Sequence, residues 1–273
     1  MKCMNIGKST WEWGTRTYIM GILNVTPDSF SDGGKYTDID AAVKHALHMQ
    51  AEGADIIDVG GESTRPGSVP VTEEEEKRRV IPVIEELVKV LDIPISVDTY
   101  RAGTAELALK AGASMINDVW GLKYDPEMAS LAADRGVCVC IMHNRSKGPV
   151  YDNLIEDMIA ELSESIEIAK KSGIKDEKII IDPGIGLGFA KTSEHNLMIM
   201  RNLDRFKKLG YPLLLAASRK RFIGEVLGLD VNDRIEGTLA VTAAGIMKGV
   251  DMVRVHDVLE NKRVAKMMDS MVR

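Results

Sequence analysis

Cysteines are few in this 273-residue chain, and long apolar runs are absent. Its three cysteines exclude a disulfide framework, and Cys138 and Cys140 do not have the spacing of a zinc-binding pair. We therefore expect these two thiols to pack on one face of a buried strand. No stretch approaches the roughly 20 apolar residues of a membrane span, and the N-terminus has no apolar signal-peptide core. The sequence predicts a cytoplasmic protein that contacts no membrane.

The charge balance also narrows the range of partners. With a net charge of -6, the chain offers no overall electrostatic reason to bind nucleic acid. No G-x-x-x-x-G-K-[ST] motif is present, and the glycines of "DPGIGLGF" do not have the spacing of a dinucleotide fingerprint. Triphosphatases of the P-loop class are therefore disfavoured. Small molecules are the expected ligands.

Short apolar runs recur along the whole chain and predict its fold. Eight of them read as buried parallel strands: "YIMGILN", "DIIDVGG", "IPISVDT", "MINDVWG", "VCVCIMH", "KIIIDPG", "PLLLAAS" and "MVRVHDV". Helical patterns lie between them, and the chain ends in a helical "LENKRVAKMMDSM". This alternation predicts an α/β protein, a (β/α)8 TIM barrel, in a single domain over residues 1–273. A doubly wound open sheet is the alternative, since periodicity cannot show closure.

One helix carries two local signals. Thr72 and Glu75 have the spacing of a capping box at its start. Pro82 falls inside the same helical pattern and predicts either a kink or a late helix start.

Polar residues end all eight predicted strands, where a barrel of this kind has its active site. Asp98, Asn117 and Asp182 are acceptors suited to the N–H groups of a flat heterocycle. A second group consists of cations suited to phosphate: Arg65, Lys220, Arg254 and His256. Asn24, with Asp28 nearby, offers the oxygen ligands that Mg²⁺ prefers when phosphates hold it. By contrast, Cys140 and His143 are expected to be a core thiol and a satisfied histidine.

Seven motifs in order identify a family. The stretches "GILNVTPDSFSDGG", "DVGGESTRPG", "SVDT", "NDVWG", "DPGIG", "SRKRFIG" and "RVHDV" closely resemble dihydropteroate synthases of the folate pathway, from about residue 17 to residue 273. The resemblance implies a transferase that joins 6-hydroxymethyl-7,8-dihydropterin diphosphate to p-aminobenzoate, releasing pyrophosphate and 7,8-dihydropteroate. It also implies a Mg²⁺ cofactor, a homodimer and a target of sulfonamides.

The resemblance assigns a role to each matching position. Asp98, Lys220 and Arg254 would be the catalytic residues, and Asn24 and Asp28 the metal ligands. The pterin pocket would consist of Thr64, Asp98, Asn117, Met142, Asp182 and Lys220. The pyrophosphate site would consist of Arg65, Arg254 and His256, together with Asn24 through Mg²⁺. The p-aminobenzoate site would consist of Phe30, Pro66, Phe189, Lys220 and Arg221.

The chain departs from the family pattern in one place, and two other functions remain open. "DPGIGLGFAK" is two residues longer than the usual family sequence, which leaves the placement of Leu187 and Phe189 open. A corrinoid-linked methyltetrahydrofolate methyltransferase has a similar pterin-binding barrel but no pyrophosphate to hold. A non-catalytic pterin-binding homologue would have lost loop residues, whereas Asn24, Asp28 and Arg65 are present.

Overall fold

The computed structural model of the chain describes residues 3–26, 35–62, 71–186 and 191–273. The strands in these ranges are β1 Cys3–Ile6, β2 Ser9–Glu12, β3 Tyr18–Asn24, β4 Ile56–Gly60, β5 Ile95–Asp98, β6 Met115–Asp118, β7 Cys138–Met142, β8 Ile179–Asp182, β9 Leu214–Leu215 and β10 Met252–Val255. The helices are α1 Lys35–Ala51, α2 Glu73–Val90, α3 Ala102–Ala111, α4 Met128–Arg135, α5 Leu154–Lys171, α6 Ser193–Arg201, α7 Leu203–Lys207, α8 Arg221–Leu227, α9 Ile235–Met247 and α10 Val258–Val272.

The strands β3 to β10 form one parallel sheet that closes on itself. Its order is β8-β7-β6-β5-β4-β3-β10-β9. A parallel bridge between Ile181 and Leu213 joins the two end strands, and the Ile181 N–H donates to the Pro212 carbonyl at 2.9 Å. The predicted (β/α)8 barrel is confirmed, and the open-sheet alternative is wrong. All eight predicted strands belong to the barrel.

Alternate residues of each strand face opposite sides, so the barrel has two separate apolar regions. Outward residues such as Ile57 and Val139 pack against the helices. Inward residues such as Met20 and Met252 form a second cluster inside the barrel, which also contains Cys138 and Cys140. The expectation that these two thiols share one buried face is therefore confirmed.

An N-terminal hairpin that the sequence analysis did not predict covers one end of the barrel. β1 and β2 pair antiparallel, and the hairpin buries Met4, Ile6 and Trp11 in the interior cluster. The Trp11 ring stacks on Tyr18, the first residue of β3, at 4.2 Å between centroids. Because Tyr18 lies at the amino end of its strand, the hairpin covers the end opposite to the polar strand termini.

Helix α2 contradicts the expected late start and shows half of the expected capping box. It begins at Glu73 and runs through Pro82, so the late start is wrong. The Glu75 N–H donates to Thr72 Oγ1 at 3.3 Å, which is one half of a capping box. The Glu75 carboxylate instead binds Arg78 and Arg79, two cations on the next turn.

Candidate active site

A cavity of about 390 Å³ opens at the carboxyl ends of the strands. Parallel strands deliver their last side chains to this one end, which is why residues distant in sequence meet there. Six of the sequence-predicted residues line it: Asn24, Asp98, Lys220, Arg221, Arg254 and His256. The wall also contains Ile22, Glu62, Gly186, Ala216, Ser218, Arg219, Val231 and Arg234.

Arg254 is held by two carboxylates at the wall of this cavity. Its Nε donates to Asp58 Oδ2 and its Nη2 to Asp98 Oδ2, both at 2.6 Å. Asn117 Nδ2 donates to the same Asp58 oxygen at 2.9 Å. A guanidinium has five N–H donors in a fixed fork, so two are used here and three remain for a ligand.

Burial sets the charge state of Asp98. It raises the pKa of this carboxyl to about 7, against the opposing effect of Arg254 and with the help of the nearby Asp58. The same two carboxylates raise the pKa of the Arg254 guanidinium despite its burial. Near neutral pH the cavity therefore contains a permanent cation beside a carboxyl that is poised to gain or lose a proton.

Asp182 and Lys220 form the second part of the site. Asp182 Oδ1 accepts the Gly184 N–H at 2.6 Å, while burial raises the pKa of the carboxyl to about 6. The pKa of Lys220 is lowered, first by burial and then by the charge of Arg254. The stem of Lys220 crosses Gly186, where a Cβ would lie 2.6 Å from Lys220 Cδ and where φ is +82°. Glycine is therefore required at position 186.

His256 and two neighbouring cations complete the cavity wall. Ser218 Oγ accepts the backbone N–H of His256 at 3.2 Å and lies 3.1 Å from Nδ1 of the His256 ring. Because the hydroxyl can then donate to Nδ1, this arrangement favours a proton on Nε2. Arg219 binds Asp257 with two nitrogens, and Arg221 pairs with Glu225 at 2.9 Å.

The remaining predicted residues lie beside the cavity or outside the described ranges. Asn117, Met142 and Asp182 are buried and do not line this cavity, although Met142 and Asp182 are direct partners in neighbouring strands. Six predictions fall outside the described residues: Asp28, Phe30, Thr64, Arg65, Pro66 and Phe189. Of the two predicted metal ligands, the structure therefore describes only Asn24.

The structure gives a place in the site to Asp58, a polar strand-end residue without an assigned role, and to Glu62. Asp58 is fully buried and joins Arg254 to Asn117 through one oxygen, while its Oδ1 has no partner among the described residues. Its place in the strand pattern is the signal that could have assigned it a role. Inward positions alternate, so Asp58 faces the interior two residues before the strand ends at Gly60.

Cys140 is the core thiol that was predicted, whereas His143 is satisfied at only one ring nitrogen, because its Nδ1 is buried without a partner among the described residues. Burial raises the pKa of the Cys140 thiol well above its ordinary value. Burial also lowers the pKa of His143 to about 4, and its Nε2 lies 2.8 Å from Glu161 Oε2. A protonated thiol and a neutral imidazole that is bound to Glu161 do not form an activated nucleophile.

Comparisons with known proteins agree with this geometry. Residues 20–256 match the family described as pterin binding enzyme. Dihydropteroate synthase of Clostridium beijerinckii is 59% identical over 271 residues, covering 99% of this chain and 100% of the relative. A Clostridium difficile dihydropteroate synthase structure in the presence of pteroic acid has a TM-score of 0.93 and 54% identity, over 96% of this chain and 99% of the other. A Xanthomonas albilineans structure with 4-aminobenzoic acid also has a TM-score of 0.93, with 40% identity over 99% and 98% of the two chains.

Proposed function

The chain belongs to the family of pterin-binding enzymes and catalyses the dihydropteroate synthase reaction, and we propose how its residues divide that work. A C–N bond forms between p-aminobenzoate and the methylene carbon of the pterin substrate. The C–O bond to the diphosphate breaks, pyrophosphate leaves, and the amine loses a proton. One observation carries the assignment of the active site: Arg254, fixed by Asp58 and Asp98, presents its remaining N–H groups where acceptor side chains also meet.

Asp182 and Asn117 would bind the pterin ring. Asp182 uses one oxygen for Gly184, and its other oxygen accepts no hydrogen bond from the described residues. Asn117 donates its amide to Asp58, which leaves its own oxygen as an acceptor. A carboxylate oxygen and an amide oxygen suit the N–H groups along the edge of a pterin.

Arg254 and His256 would bind the diphosphate. Three remaining N–H donors of Arg254 can serve two phosphate oxygens, and the His256 imidazole lies at the same cavity. Both groups stabilise the negative charge that grows on the leaving oxygen. The arylamine is the nucleophile, so its alignment matters more than a strong base. Asp98 and Asp182 would favour the positive charge that develops on the pterin methylene carbon.

The donor set fits Mg²⁺ if the substrate phosphates supply most of its ligands. Asn24 places a side-chain oxygen at the same cavity as Arg254 and His256. Within the described ranges no group of three His, Cys, Asp or Glu residues could hold a metal ion. Mg²⁺ often keeps only one or two protein ligands in such sites. We propose that Asn24 and Asp28 hold the ion, which when bound would neutralise phosphate charge.

We also propose that the protein is a homodimer. Large apolar side chains are exposed on helices α8, α9 and α10, including Val226, Met247 and Met267, of which 59%, 64% and 61% respectively is accessible. Apolar exposure on adjacent helices is typical of a surface that a second protein covers. Light scattering of the purified protein tests this, and Met267→Glu should shift the species toward monomer if α10 is in the interface.

A cytoplasmic location is a further proposal. All three cysteines are free thiols, and Cys138 and Cys140 are buried inside the barrel. In the described parts of the chain, no helix is both long enough and apolar enough to cross a membrane.

The synthase assignment is tested with purified protein, both substrates and Mg²⁺. We expect equal amounts of 7,8-dihydropteroate and pyrophosphate, and competition between a sulfonamide and p-aminobenzoate. Arg254→Gln should lower kcat roughly 100- to 1,000-fold, the usual loss for a donor to developing negative charge. Arg205→Gln is the matched control, since it breaks only the exposed pair with Glu156. Methyl transfer from methyltetrahydrofolate, without pteroate formation, would instead establish the methyltransferase alternative.

A further inference from the structure

Arg101 binds Glu62, which lines the active-site cavity, and two residues at the start of helix α2. It is the residue before helix α3. Its Nη2 donates to Glu62 Oε2 and to the Val71 carbonyl, each at 2.9 Å, and its Nη1 donates to Glu76 Oε2 at 2.9 Å. One guanidinium thus joins the end of the β4 region, the start of α2 and a carboxylate within α2.

The contacts of Arg101 are shielded from water. Exposure of the side chains is 12% for Arg101, 15% for Glu62 and 1% for Glu76. Tyr100 strengthens the arrangement, because its hydroxyl lies 3.0 and 3.2 Å from the two Glu62 oxygens. Paired charges in such surroundings hold a fixed geometry, unlike exposed ion pairs.

Glu62 connects this network to the chemistry. Its side chain lines the active-site cavity together with Asn24, Asp98 and Arg254. The same cavity is lined by His256 of the predicted pyrophosphate site and by Lys220 and Arg221 of the predicted p-aminobenzoate site.

We propose that Arg101 is a positioning residue of the synthase reaction, which fixes the Glu62 carboxylate in the cavity wall. The inference rests on the proposed function. A side chain that is already fixed in the cavity wall loses less conformational freedom when a ligand binds beside it. The benefit falls on the diphosphate and p-aminobenzoate, because Arg254, His256, Lys220 and Arg221 line the same cavity as Glu62. Asn117 on β6 and Asp182 on β8, which would bind the pterin ring, do not line it.

Arg101→Lys tests the proposal, because an ammonium keeps the charge but cannot bind Glu62, Val71 and Glu76 together. We expect KM for p-aminobenzoate and for the pterin diphosphate to rise about 10-fold, the equivalent of one charge-assisted hydrogen bond, with kcat changed less than about threefold. Affinity for 6-hydroxymethylpterin, which lacks the diphosphate, should stay at the wild-type value. Wild-type KM for both substrates would overturn the proposal, whatever the melting temperature.

Two further variants separate positioning from stability. Thr104→Val removes the other hydrogen bond to Glu76, at 2.8 Å, and leaves Glu62 and Val71 bound, so its KM values should be those of the wild type. An equal rise of KM in Thr104→Val would show general destabilisation and overturn the proposal. Glu62→Gln keeps the Arg101–Glu76 pair and should raise KM in the same direction. If Arg101→Lys does not fold, wild-type KM in Glu62→Gln overturns it. A wild-type protein that makes no pteroate would contradict the proposed function instead.

Discussion

Replacing Asp58 by Asn tests whether this buried carboxylate organises the active site. Its Oδ2 accepts hydrogen bonds from Arg254 and Asn117, at 2.6 and 2.9 Å, while Oδ1 has no partner among the described residues. An asparagine can place its oxygen at the Oδ2 position and keep both bonds. Its amide then takes the unpartnered Oδ1 position. The substitution therefore removes the charge and preserves the shape.

The two hydrogen bonds determine the size of the effect. A hydrogen bond to a charged group contributes about 1.5–3 kcal/mol, against about 0.5–1.5 kcal/mol for a neutral pair. Only the Asn117 bond becomes a neutral pair, since Arg254 keeps its own charge, so the expected loss in the free energy of unfolding is about 1–2 kcal/mol. Asp58→Ala removes both acceptors and leaves Arg254 with Asp98 alone, so about 3–5 kcal/mol is expected there, as for a broken buried pair.

Urea denaturation measures this loss, and a pH profile measures the electrostatic part. The unfolding slope should stay constant while the midpoint falls. Asp58 helps to raise the pKa of Asp98, so its neutralisation should lower that pKa from about 7. If Asp98 acts as the anion, the acid limb of kcat/KM then moves to lower pH.

Ser96→Ala is the control for the Asp58 variants. Ser96 is buried on β5, two residues before Asp98, and its hydroxyl has no partner among the described residues. Its removal should change the free energy of unfolding by less than about 0.5 kcal/mol. The interpretation of Asp58 is refuted if Asp58→Asn is as stable as Ser96→Ala, or if the acid limb moves to higher pH.

Three further predictions follow from the same region. Asp182→Asn should weaken pterin binding about 10-fold in calorimetry. The wild type should lose affinity for the pterin as pH falls through about 6, and the variant should not show this loss. Unchanged affinity in the variant contradicts the assigned role. Burial lowers the pKa of Lys191 to about 7. Above that pH, the unfolded chain therefore binds one more proton at this lysine than the folded protein does. Wild-type stability should therefore gain up to about 1.4 kcal/mol per pH unit relative to Lys191→Met between pH 7 and 9, and parallel urea profiles would refute this. Asn24→Ala should lose most of its activity and bind pyrophosphate with less dependence on Mg²⁺ in calorimetry, whereas full wild-type activity in excess EDTA would disprove the metal requirement.

The barrel could be predicted because each of its strands carries its own signal. Runs such as "KIIIDPG" are apolar throughout, since parallel strands are covered on both faces, and they end in polar residues. The hairpin of β1 and β2 lacks that signal. Its strands have four residues each, and only alternate positions such as Met4 and Ile6 are buried. Its stability comes from contacts with the barrel interior, which a local pattern does not contain.

The site could be predicted at the level of residue type but not of pairing. Asp98 and Arg254 were both expected at strand ends, one as an acceptor and the other as a phosphate-binding cation. Their direct contact depends on the closure of the barrel, which brings β5 and β10 to the same cavity across 156 residues of chain. Asp58 was visible as a polar strand residue, but its link between Arg254 and Asn117 depends on the same closure.

The cations of the cavity differ in a way that indicates which of them is most available to a ligand. Arg254 is compensated by two carboxylates, Arg219 by Asp257 and Arg221 by Glu225. The side-chain ammonium of Lys220, by contrast, forms no hydrogen bond or ion pair with the described residues, and burial lowers its pKa. A buried cation without a partner reduces the stability of the ligand-free protein. A ligand that offers acceptor atoms at this position removes that cost when it binds, so the unpaired state of Lys220 favours binding at the expense of stability.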